Sequence, residues 1–488
     1  MKLTRRDSIG LLVTALAIGL FTDVLTHQSI FGLNFLLWTT LWVAVLLFAA
    51  FDKRRLTPSF AIFGVFALVN AVMSYVRIEP VVAFWSFVIT MVSLMMMAGS
   101  LYAPNFLALT IVNRFTELLT HGISTILANA NEGFRTLNGN RKPVKLRGAV
   151  GIIIAVLLAV VFLALFAGAD SVFSRQFGFL HDLFEWLGHY NVGRVVTICF
   201  WIAASAAGLL LIIGRLNPVK PTIHAMKKFL SGNDSTIILA TVGVIFLIFS
   251  LFQLRYLFAS GSLPDGLTYA EYARRGYGQL LLATLLASAT VYGAMAWTAD
   301  AVRLRARTWL ATALVALNGF IVLSAWKRLS LYESAYGWTM ARFVARLGLI
   351  CIFLGSILLV LWVVRKMSTR RLFGFNWYMI ATVLTVAAIL NPAGIIVMKN
   401  ITERASRSVS LDTDYLRSMS DDSLPAICKY APQLRVNYTQ EYDKLMEARR
   451  FTHVTIGTED NHGLSRHYTR SAEFKQSITG CMLEAGVE

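Results

Sequence analysis

The sequence predicts an all-α protein, a polytopic bundle of about eleven transmembrane helices carrying a small helical tail outside the membrane. Three observations predict it. Of 488 residues, 56% are hydrophobic and 15% charged, whereas soluble domains carry roughly a quarter of their residues as charges. The apolar residues arrive in runs of roughly 18 to 25, the length that crosses a hydrocarbon layer as a helix. The basic residues collect in alternate connections between those runs, as membrane insertion requires. The net charge of +18, from 45 Lys+Arg against 27 Asp+Glu, therefore reports membrane topology, and no nucleic-acid partner is expected.

In chain order the expected spans are Ser8 to Leu25, Gly32 to Phe51, Ser59 to Val76, Val81 to Leu101, Gly148 to Ala169 and Arg194 to Gly214. They continue with Thr236 to Leu257, Gly278 to Thr298, Thr308 to Trp326, Ala345 to Arg365 and Phe375 to Met398. Lys2, Arg5 and Arg6 precede the first run. A cleaved leader ending near Ala15-Leu16-Ala17 and a twin-arginine export signal are alternatives there. The plainer reading is that these charges keep the amino terminus in the cytoplasm. Four regions result: a four-span segment 1–101, a basic connection 102–147, a seven-span core 148–398 and a polar tail 399–488.

One set of connections holds Lys2, Arg5, Arg6, Lys53 to Arg55, Arg114, Arg135 to Arg147, Arg215 to Lys228, Arg303 to Arg307 and Arg365 to Arg371. This richer side is assigned to the cytoplasm. The opposite side holds fewer than half as many cations, among them Arg77, Arg255, Arg274, Arg275, Lys327, Arg328, Arg342 and Arg346. An odd number of spans then places the carboxyl-terminal tail outside. Cys428 and Cys481 are the two cysteines of that tail, and an oxidising exterior can join them; two unrelated thiols are the alternative.

Two connections show helical apolar stripes. Phe173, Phe177, Leu180, Phe184 and Leu187 fit a helix lying in the outer interface, and Leu107, Ile111, Phe115 and Leu118 fit one at the inner surface. A further span between 102 and 130 would reverse every later connection. Inside the spans the polar residues are mainly neutral, as with Asn70, Gln253 and Asn318, which argues against a proton-coupled pump.

The most informative outer stretch runs from Leu267 to Gly276. Thr268 and Glu271 stand at capping-box spacing, so a helix begins there and runs to about Thr298. The next helix extends past Trp326 to stop at Gly337. Thr339 can cap the one after it, which carries Arg342 and Arg346 one turn apart. These ends bring together a candidate ligand-binding set: Arg255, Tyr269, Glu271, Tyr272, Arg274, Arg275, Lys327, Arg328, Tyr332, Glu333, Tyr336 and Arg342. Arg forks and Tyr hydroxyls suit phosphate and carboxylate oxygens. An anionic lipid, an envelope polymer or another membrane protein is the expected partner, alongside the lipid bilayer itself. The competing reading is interfacial anchoring in the headgroup belt. A third is a cover formed by the tail through Asp412, Asp414, Asp421 and Asp422.

In the tail, Asp412 is placed to cap a short helix through Leu416, and Ser420 another containing Leu424, Ile427 and Tyr430. His453, His462 and His467 match no zinc spacing, so neither metal nor cofactor is expected. No Walker, G-x-S-x-G or H-E-x-x-H motif occurs.

Four ordered motifs carry a family likeness: Leu267 to Gly276, Lys327 to Gly337, Asn391-Pro392 followed by Asn400, and Leu411 to Leu416 through Ser420 and Pro425. They resemble bacterial membrane proteins grouped as domain of unknown function 4173, over roughly Gly148 to Pro432. Ala393-Gly394 stands where that group usually shows an acidic residue. The resemblance implies a multi-pass protein of the bacterial cytoplasmic membrane and no activity. The functional expectation is a binding, assembly or sensing component of the envelope, with a transporter or flippase of an anionic lipid, or a membrane-embedded transferase, as alternatives.

Overall fold

The computed structural model describes residues 32–52, 56–100, 147–169, 173, 230–254, 269–298, 304–405 and 411–437. Helix is the dominant regular structure there, and no strand occurs among the described residues. The helices are α1 (Leu33–Asp52), α2 (Pro58–Val76), α3 (Pro80–Ser100), α4 (Arg147–Ala169), α5 (Gly232–Gln253), α6 (Tyr269–Ala296) and α7 (Leu304–Tyr336). They continue as α8 (Met340–Arg365), α9 (Thr369–Ile389), α10 (Pro392–Ala405), α11 (Thr413–Ser418) and α12 (Leu424–Asn437), with a 3-10 turn at Asp421–Ser423. Among the described residues eight helices are long and apolar enough to cross a membrane, and α1 adds a shorter apolar stretch, Leu33–Phe48. The chain is a multi-pass membrane protein. The expected spans Ser8 to Leu25 and Arg194 to Gly214 lie outside the described residues.

Local chemistry accounts for the helix ends. Thr57 caps α2 by accepting from the Phe60 N–H, with Pro58 at the first helical position, where its missing N–H costs nothing. Ser231 and Asp234 form a reciprocal capping box on α5. The expected start after Thr268 is met by α6 at Tyr269, and the expected stop by α7, which ends just before Gly337 at a φ of +81°.

One span is corrected. The run Phe375 to Met398 is not a single helix: α9 ends at Ile389 and α10 begins at Pro392. Proline offers no N–H to the preceding turn, and Asn391 adopts a left-handed φ of +55°. Its side-chain oxygen then caps α10 by accepting from the Gly394 N–H at 3.2 Å. The boundary drawn at residue 398 thus falls inside a helix that carries Lys399, Asn400, Glu403 and Arg404 in its last two turns.

The chain divides into two compact units. One draws on Met1–Leu107, Tyr336–Leu347 and Tyr378–Glu488, the other on Ala108–Ala335 and Gly348–Trp377. In the first, α2 and α3 pack as an antiparallel pair with Phe60, Ala67 and Ala71 fully buried. Asn70 donates to Thr385 Oγ1 at 2.8 Å, satisfying a polar group at mid-helix. In the second, α4 packs on α5 and α6 around an aromatic cluster of Phe162, Phe166, Phe246 and Phe249. Phe173, expected in an outer interfacial helix, is buried against Phe249 and Phe252.

Candidate functional site

The densest polar assembly in the first unit lies where α7 gives way to α8. Gly337 turns the chain with a conformation that side-chain-bearing residues avoid, and a Cβ there would come within 2.7 Å of Asn400 Oδ1 and 2.9 Å of Arg404 Nη1. Asn400 grips the next residue from both sides. Its Oδ1 accepts from the Trp338 N–H at 2.6 Å, and its Nδ2 donates to the Trp338 carbonyl at 2.8 Å. The indole Nε1–H donates to Glu403 Oε2 at 3.0 Å, and Lys399 pairs with Glu403 Oε1 at 2.8 Å. Arg346 stacks 4.7 Å from the Trp338 ring centroid and Lys399 stands 5.8 Å from it. Arg342 donates to the carbonyls of Tyr336 and Gly337, closing the end of α7.

The segment after α10 returns to this elbow and to its neighbours. Asp412 caps α11 by accepting from the Tyr415 N–H at 3.0 Å, as expected. The Tyr415 hydroxyl accepts from the Met340 N–H at 2.7 Å, at the start of α8. Burial raises the Tyr415 hydroxyl above its ordinary value, partly offset by that bond. Ser420 stands before the 3-10 turn, but its hydroxyl does not cap the turn; it donates to Glu79 Oε2 at 2.7 Å.

Asp422 is 1% exposed, and its Oδ2 accepts from the backbone N–H groups of Ile78 and Glu79 at 2.9 and 2.8 Å. Asn391 Nδ2 donates to the Asp422 carbonyl at 2.7 Å. Burial pushes the Asp422 carboxyl up to about 6, against the pull of the two amide bonds and of Arg77. Arg77 donates to the carbonyls of Ala388 and Ile389 at 3.0 and 2.9 Å, closing the end of α9. Burial lowers its value and the Asp422 charge opposes that.

A family model described as a domain of unknown function, DUF4153, matches residues 60–430, most of the chain. The chain belongs to that family. The number 4173 read from the motifs is thereby corrected. Those motifs are helix starts, a glycine stop and an Asn-Pro break, punctuation that unrelated helical membrane proteins share, so they separate two such families poorly. No curated protein and no solved structure matches the chain. Every residue of the elbow and of the Asp422 grip lies within the span of the DUF4153 match.

The residues singled out in the sequence are distributed unevenly over this fold. Arg255 lies outside the described residues. Tyr269, Glu271, Tyr272, Arg274 and Arg275 sit in the first turns of α6, and their side chains are outside the description. Lys327, Arg328, Tyr332 and Glu333 belong to the second unit, Tyr336 and Arg342 to the first. Arg328 is fully buried, donating to the Ala169 carbonyl at 3.0 Å and to Gln253 Oε1 at 2.9 Å, and Ser324 joins the same oxygen at 2.8 Å. Glu333 is buried too, while Lys327 and Tyr332 are half-buried and Tyr336 is exposed. Tyr336 and Arg342 meet through the Tyr336 carbonyl, which accepts from the Arg342 guanidinium at 3.1 Å. Cys428 carries a disulfide bond, and Cys481 lies outside the described residues.

Trp338, Arg346, Lys399, Asn400, Glu403, Arg404, Tyr415 and Asp422 lie outside the candidate ligand-binding set that the sequence suggests. Asn400 and the Asp412 to Ser420 stretch did appear as motif positions, and Arg346 as one turn from Arg342. The signal was present without an indication that these segments converge. No group of three or more His, Cys, Asp or Glu side chains placed for a metal occurs among the described residues.

Proposed function

We propose that the protein is a non-catalytic binding component of the bacterial cytoplasmic membrane whose ligand is an anionic group met at the outer face by the Trp338 elbow. The observation that carries this reading is the stacking of Arg346 and Lys399 on the Trp338 ring, with Arg342 and Arg404 beside the Gly337 turn that precedes it. Each guanidinium presents five donors in a planar fork suited to phosphate or carboxylate oxygens. A tryptophan at a span boundary holds that fork at headgroup depth. The cation-poor side of the span map supports placing these residues outside. The disulfide at Cys428 supports it independently, because such bonds persist in oxidising compartments. In the second unit, the buried Arg328, Gln253 and Ser324 bond to one another and to the end of α4, which favours a closed bundle over a transport path.

The test is mass spectrometry of whatever remains bound after purification in lipid nanodiscs. An Arg346→Gln/Lys399→Gln variant is expected to retain on the order of tenfold less of the anionic species, the loss of roughly one charge-assisted contact. An Arg274→Ala/Arg275→Ala variant, removing the cluster first read from the sequence, should retain the wild-type amount. Equal retention by wild type and the first variant would remove the elbow as the site.

A further inference from the structure

We propose that Asp422 makes the docking of segment 411–437 onto the span ends proton-sensitive, so that the segment holds tightly in acid and loosens toward neutral pH. This does not require the anion site and stands or falls separately from it.

The geometry is that of a carboxyl built to carry a proton. One oxygen, Oδ2, takes both N–H groups of the α2–α3 connection, at Ile78 and Glu79. The other, Oδ1, is buried and accepts no hydrogen bond. An ionised carboxylate spreads its charge over both oxygens and needs donors on each. A buried oxygen without a partner costs much less on a neutral carboxyl than on a charged one, although its O–H then also goes without an acceptor. The residue is also mechanically placed to matter. Its backbone carbonyl is held by Asn391 at the α9–α10 break, and its neighbour Ser420 is tied to Glu79. The Asp422 side chain and these two bonds join the segment to two separate span ends.

Charged side chains on the elements packed around the turn are Arg77 and Glu79 on the α2–α3 connection, Lys399, Glu403 and Arg404 on α10, Lys429 on α12, and Asp421 beside it. Arg77 favours the ionised form and Glu79 opposes it. Burial, with Glu79 on its side, outweighs Arg77 and the two amide bonds, moving the group from an ordinary 3.8 to about 6. The docked state therefore binds the proton more tightly than the undocked one. The contribution to docking is complete below the ordinary value and is lost as pH rises through about 6. A shift of that size corresponds to a change on the order of 100-fold in the docking equilibrium.

Hydrogen exchange of the full chain in nanodiscs, corrected for intrinsic rates, reads this directly at the Ile78 and Glu79 amides. Wild-type protection is expected to fall up to about 100-fold between pH 4 and 8, nearly all of it below about 6, with a logarithmic midpoint at about 5, halfway between the undocked and docked values. Asp422→Asn keeps an oxygen for the two amides without a titrating group, so its protection should stay flat. Protection that is flat in wild type, or an unchanged slope in Asp422→Asn, overturns the proposal. Should that variant fail to insert, Arg77→Gln serves: removing the cation must raise the midpoint, and an unmoved or lowered midpoint overturns the proposal equally.

Discussion

Arg328 in α7 and Arg342 in α8 answer the same need in two different surroundings. Every helix ends with carbonyls that find no partner within it, and the aligned peptide dipoles make that end negative. Arg328 supplies donors to the last residue of α4, Ala169, from a position without solvent exposure, and shares Gln253 with Ser324. Arg342 supplies them to Tyr336 and Gly337 from a half-exposed position. Arg77 repeats the arrangement at the end of α9. All three stand in connections that are poor in cations along the sequence. The helix ends explain why arginine appears there at all, and burial decides how much each one is worth, since water can replace Arg342 but not Arg328.

The sharpest contrast is expected from Arg328→Leu. The substitution keeps apolar bulk but removes the buried donor of the Ala169 carbonyl and one donor of Gln253 Oε1. A buried group left unsatisfied, once bonded to a charge, costs roughly 3 kcal/mol. Thermal unfolding in detergent should show this variant well below wild type. Wild-type stability would mean that water reaches the site and that the two arginines are equivalent after all.

Between the extremes lies Gly337→Ala. A side chain in the left-handed region costs roughly 1–2 kcal/mol, and here the new Cβ must also displace Asn400 Oδ1 and Arg404 Nη1. The Trp338 clamp should open, so iodide or acrylamide should quench tryptophan emission more strongly. Gly243→Ala in α5 is the matched control, because a Cβ there meets nothing within 4 Å. That helix position should be neutral or gain up to about 1 kcal/mol. Equal loss at both glycines would place the effect in helix packing at large and not at the elbow.

Much of this was legible in advance. Span lengths, the α6 start, the Gly337 stop, and the Thr339 and Asp412 caps follow from interactions within one or two turns, and such local signals are written contiguously in the sequence. The break at Asn391-Pro392 carries the same kind of signal but is masked in the sequence by the apolar run continuing through Ile395, Ile396 and Val397, of which Ile396 and Val397 form the buried flank of α10. The site was less legible because its residues meet across long separations. Asp422 meets Glu79 at 343 residues' distance and Asn400 meets Trp338 at 62. Charge sign alone pointed to Arg328 and Glu333, and it cannot distinguish a guanidinium facing headgroups from one buried under a helix end.

Salt provides the mildest and most discriminating version of the comparison. Arg342→Ala should cost only about 0.5–1 kcal/mol, the ordinary value of a cation at an accessible helix carboxyl end. At ionic strengths near 1 M, where the screening length shrinks to roughly 3 Å, even that difference from wild type should diminish, because ions and water take over the Tyr336 and Gly337 carbonyls. The deficit of Arg328→Leu should persist, since no mobile ion enters a site with zero exposure. If both deficits fade together with salt, burial is not what separates the two arginines. If neither fades, Arg342 acts through its hydrogen bonds and its grip on the Gly337 turn, and the dipole contribution at that helix end is negligible.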